Sequence, residues 1–164
     1  MKYRPEDGFL YYFDFVKKMD CKFLFSSLST SVFLGSISEK KAFYRYEPTK
    51  WCIKQIVGHI TDHERIMIFR AFLMSRKELV ELWGYDQNVL VDNSRFEELT
   101  LKDLVAYFIN VRKASISFIE TLSDNQLKIK GLARHCEITL EDFLKSIIGH
   151  EKHHLKIIKE RYIQ

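Results

Sequence analysis

The sequence predicts an all-α protein, an antiparallel four-helix bundle folded as a single domain over residues 1–164, and three observations carry that expectation. A chain of 164 residues, 46% hydrophobic, can bury one core but is too short for two comfortable ones. It holds only 6 Gly and 2 Pro, so it lacks the turn punctuation of a many-stranded sandwich or barrel and the glycine-rich loops that cradle phosphates. Its apolar residues recur at three- and four-residue steps in four segments, and amphipathic helices bury such stripes best against one another.

Residues 1–19 are an aromatic-rich lead-in without clear periodicity, with a helical turn or two expected around Phe9 to Lys18. From Asp20 a first bundle helix is expected on Phe23, Leu24, Leu28, Val32 and Phe33, stopping near Gly35. Ser38 to Tyr46 then reads as a connection. The second helix is expected from Pro48 and Thr49 to about Ser75, with Ile53, Ile56, Val57, Ile60, Met67 and Ala71 as its stripe. Leu82 to Arg95, with its Gly, two Asp and two Asn, breaks the period and reads as a long loop, a length that often carries function. A third helix is capped at Thr100 by Thr-x-x-Asp and runs through Leu101, Leu104, Val105, Phe108, Ile116 and Ile119 to about Leu122. After a polar loop from Ser123 to Ile138, the same device at Thr139 opens a fourth helix, whose stripe is Leu140, Phe143, Leu144, Ile147, Ile148, Leu155, Ile158 and Tyr162.

Charge and cysteine content narrow the function classes. The chain has 26 Lys plus Arg against 22 Asp plus Glu, and the two signs are interleaved on every helix without a basic stripe, which argues against a nucleic-acid partner. No apolar run approaches the roughly 18 residues of a membrane span. Cys21, Cys52 and Cys136 are odd in number and form no CxxC pair, and the start MKYRPEDGFL has no apolar signal core, so a reducing cytoplasmic location is expected. The two tryptophans and the many Phe are read as core.

The informative residues are polar ones at apolar positions. On the fourth helix His150 and His154 lie about 40° apart at the edge of the stripe, so both can point at one atom, whereas His153 falls among charged residues and is expected to face solvent. Glu151 sits in the middle of the stripe, where an unpaired carboxylate is costly to desolvate. On the second helix His59 and His63 stand one turn apart at the stripe edge, with Glu64 on its far side. Arg112 interrupts the apolar run of the third. Several imidazoles, two carboxylates and an arginine aimed into a bundle fit a metal centre in which neutral imidazoles bind and outer carboxylates orient them. The string His150-Glu151-Lys152-His153-His154 is also a literal H-E-x-x-H, though with ten residues after it a third ligand must come from upstream, from His59 or His63.

The series Tyr44-Arg45-Tyr46-Glu47-Pro48-Thr49-Lys50-Trp51, Gly58-His59-Ile60-Thr61-Asp62-His63-Glu64-Arg65, Gly84-Tyr85-Asp86, Val111-Arg112-Lys113 and Gly149-His150-Glu151-Lys152-His153-His154, in this order across about residues 20–163, closely resembles the DinB-like superfamily in its YfiT-like metalloenzyme branch. The resemblance implies a four-helix bundle holding a divalent metal, zinc or nickel, on His59, His150 and His154. The family usually has a small polar residue at the place of His63, so the departure here puts a fourth imidazole near the metal. The family implies a metal-dependent enzyme of small-molecule chemistry, either a thiol S-transferase acting with a low-molecular-weight thiol or a hydrolase. Glu151 and Arg112 are then the catalytic candidates: Glu151 or Glu64 as base or orienting group, Arg112 holding an anionic group. The alternative for Arg112 and Glu151 is a structural interhelical ion pair. A substrate mouth is expected under the segment from Gly84 to Asn93, and bundles of this kind form homodimers through their helix faces. The competing function is a non-enzymatic, metal-binding stress-associated protein.

Overall fold

The computed structural model describes residues 8–16, 18–78, 84–133 and 136–163, and at residues 8–10, 133 and 136 the backbone alone; Trp83 and the Cys136 side chain lie outside the described parts. Helices α1 (Gly8–Phe13), α2 (Cys21–Ser26), α3 (Ser29–Gly35) and α4 (Glu39–Ala42) precede the long α5 (Ile53–Ser75). Then come α6 (Gln87–Asp92), α7 (Leu101–Glu120), α8 (Asp124–Leu127), the antiparallel hairpin β1 (Lys130–Ala133) and β2 (Cys136–Thr139), and α9 (Leu140–Ile157), which ends in a π-helical turn at Ile158–Tyr162. The bundle consists of α2–α3, α5, α7 and α9. Helix α5 packs against α7 and α9, and α2 packs against the same two from the other side, so α7 and α9 face each other across the interior.

The chain direction holds a surprise for an antiparallel bundle. Contacts between α5 and α7 advance together, from Asp62 with Tyr107, through Glu64 with Arg112, to Phe72 with Phe118, so these two helices run the same way. Contacts between α5 and α9 run in opposite senses, with Trp51 meeting Tyr162 and His59 meeting His150. At 1.5 Å per residue a 23-residue helix is about 34 Å long. The long connection from Arg76 to Thr100 is what returns the chain to the starting end and makes the parallel pair possible. Two apolar clusters fill the ends of the bundle. One joins Leu24, Phe25, Met67, Ala71, Ile119, Leu144 and Ile147, and the other Leu34, Ile56, Ile60, Leu104, Phe108, Ile158 and Tyr162.

Several expected elements change. The first helix is broken in two at Ser27, which is extended at φ −67°, ψ 125°. Serine hydroxyls there compete for backbone partners, Ser26 donating to the Phe23 carbonyl and Ser27 Oγ accepting from the Ser29 N–H. Beyond the break Leu28 and Val32 of the expected stripe are exposed while Thr30 and Leu34 face inward, and on α2 Phe23 is exposed as well. Helix α5 starts at Ile53 and not near Thr49, because Gln55 turns back onto the Cys52 N–H and caps it there. Within the expected 82–95 loop, Asp86 caps α6, and Ser123–Ile138 holds α8 and the hairpin. Thr100 and Thr139 cap α7 and α9 by accepting from the Asp103 and Asp142 amides, each at 3.1 Å. None of the described helices is long and apolar enough to cross a membrane.

Candidate metal centre

Midway along the bundle, α5 and α9 bring together three of the histidines singled out above. His59 Nε2 lies 3.2 Å from His150 Nε2, and His154 Nε2 lies 3.1 Å from the same atom. Among the described residues these are the three whose ligand atoms converge tightly enough to hold one ion, and His59 and His150 are buried. Each of the two Gly-His pairs has a local reason. A Cβ at Gly58 would collide with the Phe96 ring, and one at Gly149 with the Tyr12 backbone carbonyl. A glycine therefore seats a neighbouring segment against each helix one residue before an inward-facing histidine. Trp51 covers His59 with ring centroids 4.9 Å apart, and the Tyr12 ring meets His150 edge-on at 5.1 Å. The π-helical turn places Tyr162, whose hydroxyl donates to the Trp51 carbonyl at 2.7 Å and fixes that cover.

Burial sets the electrostatics. It pushes the His59 imidazole down to about 4, and it holds His150 and His154 well below the ordinary imidazole range, helped by the neighbouring histidines. The three rings are thus neutral at pH 7. His150 Nδ1 is buried without a hydrogen-bond partner among the described residues.

The other two histidines with described side chains are placed differently. His63 stacks on His150 at 3.7 Å between centroids and pairs through Nδ1 with the Tyr85 hydroxyl at 2.5 Å; it stands beside the converging set and not in it. His153, expected in solvent, is half-buried because α1 packs over it: its Nδ1 pairs with the Tyr11 hydroxyl at 3.1 Å, and Tyr12 and Phe15 flank the ring.

Arg112, Glu64 and Glu151 meet in the bundle interior. Arg112 Nε donates to both Glu64 oxygens at 3.0 and 3.1 Å, and its Nη2 donates to Glu64 at 2.7 Å and also to Glu151. Ser115 donates to Glu64 at 2.6 Å, and Thr30 donates to Glu151. Burial works against the guanidinium charge, but Glu151 and Glu64 more than offset it and hold Arg112 protonated more firmly than usual. Thr30, Ser115, Tyr85, Tyr12 and Trp51 were not read from the sequence as site residues. Ser115 was findable, because it lies three residues after Arg112 on the same helix face. Tyr85 gave no periodic signal at all.

A four-helix bundle enclosing three converging, neutral imidazoles is the class that fold and site together define. The chain belongs to the DinB superfamily, whose family model matches residues 29–158. Among solved structures it is similar to YfiT from Bacillus subtilis, described as a probable metal-dependent hydrolase with an unusual four-helix bundle topology. The TM-score is 0.69 at 19% identity, over 98% of this chain and 90% of that one. No match was found among curated proteins.

Proposed function

We propose that this protein is a metal-dependent enzyme of small-molecule chemistry, with a divalent cation, zinc or nickel, held by His59, His150 and His154. The observation that carries this is the convergence of three Nε2 atoms, those of His59 and His154 standing 3.2 and 3.1 Å from that of His150. On a tetrahedral ion with metal–nitrogen bonds of about 2.0–2.1 Å, ligand nitrogens stand roughly 3.3 Å apart. Neutral imidazoles also suit a cation, and rings kept neutral by burial cannot satisfy one another by protonation. When bound, such an ion supplies Lewis acidity that activates a water or thiol nucleophile.

The chain's own residues then do three things. Trp51 and Tyr12 cover the ligand rings and limit the access of water. Tyr85, on the segment Gly84 to Asn93, brings that segment to His63, which supports a substrate mouth there. Arg112 ties Glu64 on the His59 helix to Glu151 on the helix of His150 and His154. Of the two roles open to Arg112 and Glu151, we favour this positioning role, since the hydrogen bonds they make all fall within the buried cluster. Hydrolysis is favoured over thiol transfer by the description of YfiT.

Elemental analysis of protein purified without a His-tag or nickel resin tests the reading. Near-stoichiometric divalent metal in the wild type, lost in His59→Ala and His150→Ala, is the expected result. A folded wild type that takes up no metal even after reconstitution would sink it. Turnover of an ester or amide panel without added thiol separates hydrolysis from thiol transfer. Stability and metal content both fall in Glu151→Gln if the residue positions helices; lost turnover with both unchanged would make it a base.

A further inference from the structure

Tyr85 decides what His63 can do. Among the described residues the Tyr85 hydroxyl has one hydrogen-bond partner, His63 Nδ1 at 2.5 Å, so a satisfied phenol must donate its proton there. Burial pushes the Tyr85 phenol up to about 12. The phenol therefore keeps the proton it donates, and a ring that accepts it at Nδ1 is neutral. A neutral imidazole that accepts at Nδ1 carries its hydrogen at Nε2. Neither nitrogen then offers a lone pair to a cation, which accounts for a fourth imidazole standing beside the three without joining them. The ring is held in place by its stack on His150. His63 is only partly buried, and its Nε2 makes no hydrogen bond among the described residues. The Arg70 guanidinium, 5.8 Å over the Tyr85 ring, adds positive potential to the pair.

We propose that His63, locked by Tyr85 as an Nε2–H donor, binds a carbonyl or carboxylate oxygen of the substrate beside the three-histidine centre, and is not a fourth metal ligand. The proposal rests on the metal-dependent reading above. It makes His63 and Tyr85 determinants of substrate class: a substrate must present an acceptor oxygen next to its reacting atom, as esters, amides and carboxylates do and simple alkyl electrophiles do not. A fixed donor aimed at such an oxygen also favours any negative charge that develops on it.

The test uses the full chain loaded with Co(II), acetate as the probe oxyanion, and the variants His63→Ala, His63→Gln and Tyr85→Phe, each checked for folding by circular dichroism. In His63→Ala the Co(II) affinity is expected to stay within about twofold of wild type with an unchanged visible spectrum. Its acetate Kd, read from the spectral change, should rise about tenfold, the loss of one charge-assisted hydrogen bond. His63→Gln keeps an N–H donor and should recover part of that loss, while Tyr85→Phe frees the tautomer and should weaken acetate about threefold. A Co(II) affinity more than tenfold lower in His63→Ala, or an altered spectrum, would make His63 a ligand and overturn the proposal. Acetate that fails to bind the loaded wild type, or binds His63→Ala and His63→Gln as tightly as wild type, overturns it too. Each of these outcomes leaves the metal reading standing, whereas a wild type that takes up no Co(II) removes both.

Discussion

Two polar clusters are buried along α5 and α9, one of them tied also to α7 and α3, and they differ in whether they are complete. Around Arg112 the donors and acceptors match: the guanidinium serves two carboxylates, and Ser115 and Thr30 add hydroxyl donors to them. Around His150 the Nε2 atoms of three neutral rings face one another, and His150 Nδ1 has no hydrogen-bond partner among the described residues. A closed cluster holds helices together and an open one asks for a ligand. The two also complement each other electrically, since two carboxylates against one guanidinium leave a formal surplus negative charge that a cation among the neighbouring histidines would offset. Glu151 directly follows His150, so the residue that fixes α9 is bonded to the one that aims at the centre.

Breaking the closed cluster has the largest expected effect. Arg112→Met leaves Glu64 and Glu151 buried without their counter-charge, and removing one partner of a buried ion pair costs about 3–5 kcal/mol. Urea denaturation of the metal-free protein should show that loss as a lower midpoint with an unchanged slope. Replacing Glu64, Arg112 and Glu151 together by Leu, Met and Leu should cost far less, because no charge is then stranded. A metal-free Arg112→Met within about 1 kcal/mol of wild type would mean that the cluster is not holding the bundle. In the intact triple variant, metal affinity should still fall, since the helices lose the tie that sets the spacing between His59 and His150.

Most of this was legible where the signal is local and periodic. The stripes of α5, α7 and α9 are read directly from sequence, and all six residues of the α5 stripe are buried. Thr100 and Thr139 mark their caps by a four-residue pattern. The place of Arg112 and Glu151 on apolar faces announced that something must satisfy them. What was hidden depends on distant parts of the chain. The Ser26 to Ser29 break is decided by hydroxyls competing for carbonyls, and a three- or four-step apolar count cannot see it. The parallel run of α5 and α7 follows from how residues 76–100 are routed, which periodicity does not encode. His153 reads as solvent-facing on its own helix, and only the packing of α1 across Gly149 covers it. Tyr85 lies in an irregular segment, so its approach to His63 exists only in three dimensions.

Acid separates the two clusters by a second route. Burial depresses the His59 imidazole to about 4 from its ordinary 6.5. Between those values the unfolded chain binds a proton that the folded one refuses, so stability rises with pH across this window. The contribution is complete above about pH 6.5. It falls by about 1.4 kcal/mol per pH unit below that and reaches about 3 kcal/mol near pH 4 for His59 alone. His150 and His154 shift in the same direction. Urea midpoints of the metal-free protein at pH 7.5, 6 and 5 should therefore drop steeply, and His59→Leu should flatten the drop by its share. A pH-independent midpoint over this range would mean that the rings are not kept neutral by the fold.

The smallest effect sharpens the contrast most, because it touches completeness without touching charge. Thr30 on α3 donates its hydroxyl to Glu151 and is buried. Thr30→Val keeps the shape and leaves one carboxylate oxygen with one donor fewer, for an expected loss of about 1–3 kcal/mol. The substitution lies on the broken first helix, outside both helices that carry the three histidines. If Glu151 only anchors α9, the Co(II) spectrum of the loaded variant should match that of the wild type while the urea midpoint falls. If Thr30 also sets where Glu151 holds the turn bearing His150, metal affinity should weaken in step with stability. An unchanged midpoint would show that the hydroxyl completes nothing, and that α3 is held to the bundle by Leu34 and its apolar neighbours alone.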